Sequence, residues 1–501
     1  MTTAGPADPA APPEPIAAPP GSSSRPHAAG SYRDPAPVRD PASYRDPASY
    51  RDPSGFVFWR DGQPYRQIAR RFAASWDAFE SSPLSRTLME RGWLVRHEAA
   101  PVELAQGTTA HRVIRPERID FLSYPYEWTF GQLRDAALLT LDIQGLALEH
   151  GFTLRDASAY NIQFRDGRPI HIDTLSFEPT EPGRPWIAYR QFCEHFLAPL
   201  TLMAKRDVRL AALLRDNLDG VPLDLASRLL PASSRLNLGL ATHVHLHARA
   251  QRRYADRPVE AQQRVRSARP VNQAALLDSL RRTIAGLRWA PAGTEWADYD
   301  DRTSYSADAT ADKEALVARF IAATEGRRVW DLGANTGHYS RIAADAGRQV
   351  IAFDIDPAAA ERLYRTVRAD GRTDILPLVM DLANPSPALG WAGAERRSLA
   401  ERADADSLLA LALVHHLAIG RNVPLGEIGR WFARLGRQLV IEFVPKEDEM
   451  AQRLLATRED VFDDYSIEGF RAAFGESWTI IDEAPIRGTQ RVLFSLRRRD
   501  A

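Results

Sequence analysis

Arg328-Val-Trp-Asp331-Leu-Gly333-Ala-Asn335-Thr-Gly337 is an apolar run that breaks into a glycine-bearing turn, and His338 to Ala346 beyond it is helix-compatible. Gly333 and Gly337 permit a tight turn in which backbone comes close to a ligand. The next run, Gln349 to Asp354, ends on a carboxylate, and an acid at that place can accept both hydroxyls of a ribose. Asp356-Pro357 then supplies a cap and a first-turn proline for another helix. Working outward, strands are expected at 327–332, 349–354, 375–379, 407–414, 437–443, 478–483 and 490–496. Strands alternating with helices predict an α/β fold, a seven-stranded, mostly parallel sheet covered on both faces.

A nicotinamide site would ask for Gly-x-Gly-x-x-Gly, which packs a pyrophosphate on the helix terminus. Here the pattern is Asp-x-Gly-x-Asn-x-Gly, and an acid facing the ligand suits a cationic sulfonium and amino group better than a diphosphate. The segment resembles motif I of the class I, Rossmann-like, S-adenosylmethionine-dependent methyltransferases. Later segments keep that family's order: Asp354 matches its ribose-binding acid, and Val379-Met-Asp381-Leu382 resembles the loop that receives the adenine. Asp406 to Leu417 looks like motif IV, and Leu439 to Val444 like the fifth strand. The resemblance covers residues 296–501. It implies S-adenosyl-L-methionine as cofactor, bound by Asp331, Gly333, Asn335, Gly337, Asp354, Ile355, Asp381 and Leu382. Asn335 stands where many members have glycine, but Asn tolerates positive φ. Relatives often close the pocket with an aromatic segment ahead of motif I, which makes Tyr305, in Trp296 to Tyr305, a lid contact or a residue packing on the sheet edge.

Methyl transfer from a sulfonium is an in-line displacement, so the protein must align the acceptor and, where the acceptor carries a proton, offer a base. His415 and His416 fall at the expected end of strand four, where open α/β sheets place ligands. They are the expected catalytic residues, with Glu442 and Lys446 as further pocket residues. No Asn/Asp-Pro-Pro-Tyr follows strand four, which excludes resemblance to exocyclic-amine DNA methyltransferases. Cys193, the only cysteine, lies outside 296–501, which excludes thiolate chemistry on cytosine C5 and a three-cysteine iron–sulfur cluster. A small-molecule, glycan or protein acceptor remains.

The earlier part of the chain carries a second resemblance. Asp156-Ala-Ser-Ala-Tyr-Asn161, a hairpin turning at Asp166-Gly167, and Ile170-His-Ile-Asp173 are similar to the catalytic and metal-binding segments of protein kinases and aminoglycoside phosphotransferases. That likeness implies Asp156 as acid–base, Asn161 and Asp173 as magnesium ligands, and a nucleotide as partner. The lysines are Lys205, Lys313 and Lys446, so no phosphate-binding lysine precedes these segments, and no Gly-rich loop occurs between 54 and 125. A degenerate α+β kinase-like domain over 54–254 is the expectation, serving as an accessory domain. Within it a hairpin is expected at 57–65, helices around 66–92 and 130–149, and helices filling 186–254. His243, His245 and His247 would face one way on a strand as zinc ligands, and diverge on the helix that the surrounding Leu and Ala favour.

Residues 1–53 are rich in Pro, Ala, Ser, Arg and Asp, with Arg-Asp-Pro at Arg33, Arg39, Arg45 and Arg51. Proline every sixth residue excludes a regular helix or a central strand, and a disordered tail is expected. Residues 255–295 read as a helical connector, amphipathic from Ala274 to Leu287. A formal net charge of −1 gives no reason to expect nucleic acid as partner. No apolar run approaches the roughly 20 residues of a membrane span, and one cysteine fits a reducing, cytoplasmic setting.

Overall fold

A computed structural model describes residues 43–181, 183–254, 272–291, 305–456 and 459–499, and Ser43–Ala501 form one compact unit. Its first sheet is antiparallel, from β1 (Ser43–Arg45), β2 (Gly55–Arg60), β3 (Gln63–Ala69), β4 (His97–Ala100) and β5 (Ala110–Pro116), in the order β1-β2-β3-β5-β4. The β2–β3 hairpin turns at Asp61 and Gly62, both with positive φ, as a two-residue Asp-Gly turn requires. The hairpin runs on to Ala69, so the helices expected from residue 66 begin with a short 3-10 turn at Arg70–Phe72, followed by the α-helices Ala73–Glu80 and Pro83–Glu90. Two smaller antiparallel pairs join β6 (Phe152–Leu154) to β9 (Phe177–Pro179) and β7 (Ile162–Arg165) to β8 (Arg168–His171).

The expectation of a structureless tail is corrected over residues 43–53; its earlier part lies outside the described residues. The third and fourth Arg-Asp-Pro copies, each preceded by a tyrosine, are built into the fold. Asp46 accepts from Trp59 Nε1 at 2.8 Å, and the Arg45 guanidinium lies 4.2 Å over the Phe56 ring. In the fourth copy Arg51 donates to Glu395 at 2.8 Å, and Asp52 accepts from Arg155 at 3.0 Å. Proline still shapes the outcome: the copies form only a three-residue edge strand and a short turn.

The second sheet has seven strands: β10 (Arg328–Leu332), β11 (Gln349–Asp354), β12 (Ile375–Val379), β13 (Ala405–Ala410), β14 (Gly436–Phe443), β15 (Trp478–Pro485) and β16 (Val492–Arg498). Their order is β12-β11-β10-β13-β14-β16-β15, parallel except where β16 pairs with β14 and β15. Strand four is shorter than expected. It stops at Ala410, because Ala412 takes φ +49° and its N–H is held by Glu442 Oε2 at 2.9 Å. His415 and His416 therefore sit on a following helical turn, not on the strand.

Side chains alternate across this sheet with period two, and its two faces have different cover. Val329, Val350, Ala352 and Leu409 pack with Val317 and Phe320 of the helix Ala307–Ala323. Trp330, Phe353, Leu378 and Leu408 instead belong to one continuous core with Ile68, Trp76, Leu133 and Leu146 from the N-terminal half. Phe121 meets Trp330 and Phe353 edge-on, with centroids 5.5 and 6.2 Å apart. The helix Phe130–Glu149, capped by Thr129 and Gln132, places Gln132 Nε2 3.0 Å from the Pro377 carbonyl. The amphipathic stretch of the connector is the helix Gln273–Gly286, which buries Leu277, Leu280 and Ile284. Among the described residues no helix is long and apolar enough to cross a membrane.

Candidate active site

The turn after β10 carries out what its composition allows. Gly333, Asn335 and Gly337 adopt φ of +80°, +50° and +80°, so Asn335 takes the left-handed conformation that Asn tolerates. A Cβ on Gly337 would lie 2.4 Å from Leu363 Cδ1, so close helix packing as well as φ demands glycine there. The turn is clamped from the neighbouring strand: Asp354 accepts from Asn335 N at 2.7 Å and from Asp356 N at 2.8 Å.

These residues open onto a cavity of about 860 Å³ at the C-terminal ends of β10, β11 and β13. Asp331, Gly333, Asn335, Asp354, Ile355, Asp381, Leu382 and Tyr305 all line it, as does His416. Gly337 and His415 do not: Gly337 starts the helix behind the turn, and His415 is fully buried with its ring centroid 4.0 Å from that of His416. Neither His415 ring nitrogen has a hydrogen-bond partner. Burial, with the charges of His416, Arg491 and Lys313, holds its pKa well below the usual value. Burial and Arg491 lower His416 to about 4, leaving a neutral imidazole at pH 7.

Asp331 is the most perturbed acid of the cavity. Burial raises its pKa to about 7, reinforced by Asp354 and opposed by a 2.6 Å hydrogen bond from Ser340 Oγ and by the charge of Lys313. Asn335 Oδ1, buried at the cavity, has no partner. An acid poised to ionise and an unmet acceptor fit a ligand that brings positive charge and N–H or O–H donors. A nucleoside sulfonium is such a ligand.

Behind the far wall lies a buried ionic network. Lys313 Nζ is 2.6 Å from Glu442, Tyr305 Oη donates to Glu442, and Arg491 donates to Tyr305 Oη at 2.6 Å and to Glu442 at 3.2 Å. Burial alone would raise the Glu442 pKa, but Lys313 and Arg491 outweigh it and hold it at about 2. Tyr305 is thus both a cavity wall and a network member; Trp296 to Ser304 fall outside the described residues. Lys446 does not reach the cavity and pairs with Asp460 at 2.9 Å. Arg491 escaped the sequence reading, because nothing marks one arginine among many on the last strands as buried.

In the N-terminal half Asp173 is largely shielded and paired with Arg66 of β3, and it accepts from Ser176 Oγ at 2.6 Å. Burial opposes its ionisation, but Arg66 holds its pKa well down. Asp156 is shifted the other way, by burial and by the charge of Asp173. Asn161 Nδ2 lies 3.5 Å from Ser176 Oγ. An arginine therefore occupies the acid expected to take magnesium. Among the described residues no group of three His, Cys, Asp or Glu is arranged to hold a metal. His243 takes contacts from Tyr189 at 2.7 Å and Ser279 at 2.9 Å, and His245 from Ser227 and Ser234 at 2.8 Å each, on helical backbone.

No protein-family model matches the chain. It is 38% identical over 435 residues to nodulation protein NoeA of Rhizobium meliloti (strain 1021), covering 85% of this chain and 90% of that protein. Similar solved structures include magnesium protoporphyrin IX methyltransferase (ChlM) of Synechocystis PCC 6803 with bound SAH, 16% identical over 38% of this chain and 85% of that one, TM-score 0.28. N-methyltransferase NodS of Bradyrhizobium japonicum WM9 is 12% identical over 39% of this chain and 99% of its own, TM-score 0.30. At such scores it is the sheet order and the turn geometry of this chain, not these likenesses, that define its fold.

Proposed function

This chain belongs to the family of nodulation protein NoeA, and from that premise and its cavity we propose that it is an S-adenosylmethionine-dependent methyltransferase acting on a small-molecule or glycan acceptor. The observation that carries the reading is convergence: acids from the ends of three successive strands, Asp331, Asp354 and Asp381, line one cavity together with His416. Had Asp331 and Asp354 faced different spaces, the motif resemblance would have had no chemistry behind it.

Bound in this cavity, the cofactor would supply an electrophilic methyl group on a sulfonium. Asp331 would hold the cationic amino-acid end, Asp354 the ribose hydroxyls, and Ile355, Asp381 and Leu382 the adenine. Ile355, 43% exposed, is the kind of apolar surface that a base would cover. On the other side, Leu411, Leu413, Leu417 and Leu454 leave an apolar wall for the acceptor, and apolar walls keep water from the displacement. His416 is the neutral imidazole able to accept a proton from the acceptor atom. Glu442 holds Ala412 in its left-handed conformation and so fixes the Leu411–Leu413 wall. The N-terminal half serves as an accessory to this site, since Arg66 holds the acid that a phosphotransferase would need for magnesium. The test is transfer of labelled methyl from S-adenosylmethionine to fractions of cell extract, with Gly333→Arg protein as the blank. A fraction labelled by the wild-type chain and not by the blank supports the reading; equal labelling by both sinks it.

A further inference from the structure

Between β12 and β13 lie 25 residues, 380–404, that form no α-helix. They begin with Met380, Asp381, Leu382 and Ala383, all cavity-lining. A long connection of this kind needs fastening to hold a binding surface, and the N-terminal half supplies it. Glu127, fully buried in the turn Pro125–Glu127, accepts from Ser386 Oγ at 2.6 Å and from both terminal nitrogens of Arg402. Arg402 Nη1 also reaches the Leu122 carbonyl at 2.7 Å, and Arg397 N donates to Tyr124 Oη at 2.8 Å. At the outer tip Arg51 holds Glu395.

The Glu127 contact is the one connected to the cavity. Ser386 N approaches Met380 Sδ at 3.4 Å, and the Ser386 carbonyl accepts from Leu399 N at 2.9 Å. Between the two, Ala383 N caps the Asp381 carboxylate at 2.9 Å, and Asn384 N bonds the Asp381 carbonyl at 3.0 Å. Residues 380–386 thus form a closed turn, with Asp381 on the cavity side and Ser386 pinned to Glu127. One carboxylate closes this turn and, through Arg402, the far end of the same segment.

We propose that Glu127 is a positioning residue for the cofactor pocket: acting through Ser386, it holds the turn that presents Asp381 and Leu382. The N-terminal half then supports the wall of the cofactor site from behind, through Ser386. This rests on the methyl-transfer reading for the identity of the ligand, but not for the mechanical claim.

Glu127→Ala would strand Arg402 as a buried unpaired charge and endanger folding, so Ser386→Ala is the working variant. It cuts the link and leaves the ion pair. In calorimetric titration of the full chain with S-adenosylhomocysteine, Ser386→Ala is expected to weaken binding on the order of fivefold. If Ser386 acts through Asp381, Ser386→Ala/Asp381→Asn binds no more weakly than Asp381→Asn alone. Losses that multiply, or binding by Ser386→Ala within about twofold of wild type, overturn the proposal. Hydrogen exchange of the ligand-free chain decides it independently: amides of Asp381–Asn384 should exchange faster in Ser386→Ala, and unchanged exchange there refutes the brace. A wild-type chain that takes up no S-adenosylhomocysteine sinks the methyl-transfer reading, while the exchange experiment still tests Glu127.

Discussion

The affinity of the chain for S-adenosylmethionine should rise steeply with pH below neutrality, and Asp331 should be the cause. The Asp331 carboxyl is buried, and its pKa is about 7 before any ligand arrives. Holding a cation requires the ionised form, so the observed association constant follows the ionised fraction. That fraction is about 0.03 at pH 5.5 and about 0.76 at pH 7.5, a ratio of about 25, or about 1.9 kcal/mol. The same shift acts oppositely on the free protein. A carboxyl that keeps its proton to higher pH when folded stabilises the fold most below pH ~4, and that contribution is lost as pH rises through ~7. The free chain should become less heat-stable over the range in which its ligand affinity grows. Calorimetry at pH 5.5, 6.5 and 7.5, in buffers of differing ionisation enthalpy, reads both affinity and protons released. Wild type should release close to one proton at pH 5.5, and Asp331→Asn should bind weakly with a flat profile. A flat wild-type profile, or a slope that survives in Asp331→Asn, refutes the reasoning.

The two histidines should separate cleanly. His416→Ala is expected to keep S-adenosylhomocysteine binding within about threefold while lowering methyl transfer by about 10²-fold or more, the contribution of a positioned base; His415→Phe, which replaces a buried imidazole without partners by an apolar ring, should leave the melting temperature unchanged or raise it, and a large fall would show that the imidazole is hydrogen-bonded in the folded chain. Magnesium with ATP should give no shift in melting temperature, because Arg66 already neutralises Asp173; a shift abolished by Asp173→Ala would instead make the N-terminal half a nucleotide-binding unit.

The C-terminal sheet and the turn after β10 were legible because their signals are local. A glycine turn after an apolar strand and an acid at the next strand's end are set by a few consecutive residues, and Gly333, Asn335 and Asp354 lie where those patterns put them. Strand four was overrun because Leu411 to Val414 continue its apolar character; only Glu442, thirty residues on, reveals that Ala412 turns away. Gly337 shows what motif reading leaves out: beside the positive φ of the turn, glycine is needed there for close packing against Leu363. The shared core was hidden for a related reason. Trp330 and Phe353 read as ordinary buried strand residues, and nothing in periodicity says that Phe121 and Leu133, two hundred residues earlier, cover them. The last two Tyr-Arg-Asp-Pro copies were masked by composition: proline forbids long regular structure but not the side-chain contacts of Asp46, Arg51 and Asp52. Arg66 is the plainest case, an arginine in a hairpin whose partner Asp173 lies across the fold.

Equilibrium titration of S-adenosylmethionine into the full chain, beside Gly333→Arg, tests the central claim most directly. Gly333 has φ +80°, and its Cβ position lies 3.3 Å from Leu413, so an arginine there both strains the turn and fills the cavity floor. Saturable binding of one S-adenosylmethionine per chain, lost in the variant while it stays folded, is the predicted result. A folded wild-type chain that takes up neither S-adenosylmethionine nor S-adenosylhomocysteine would contradict it.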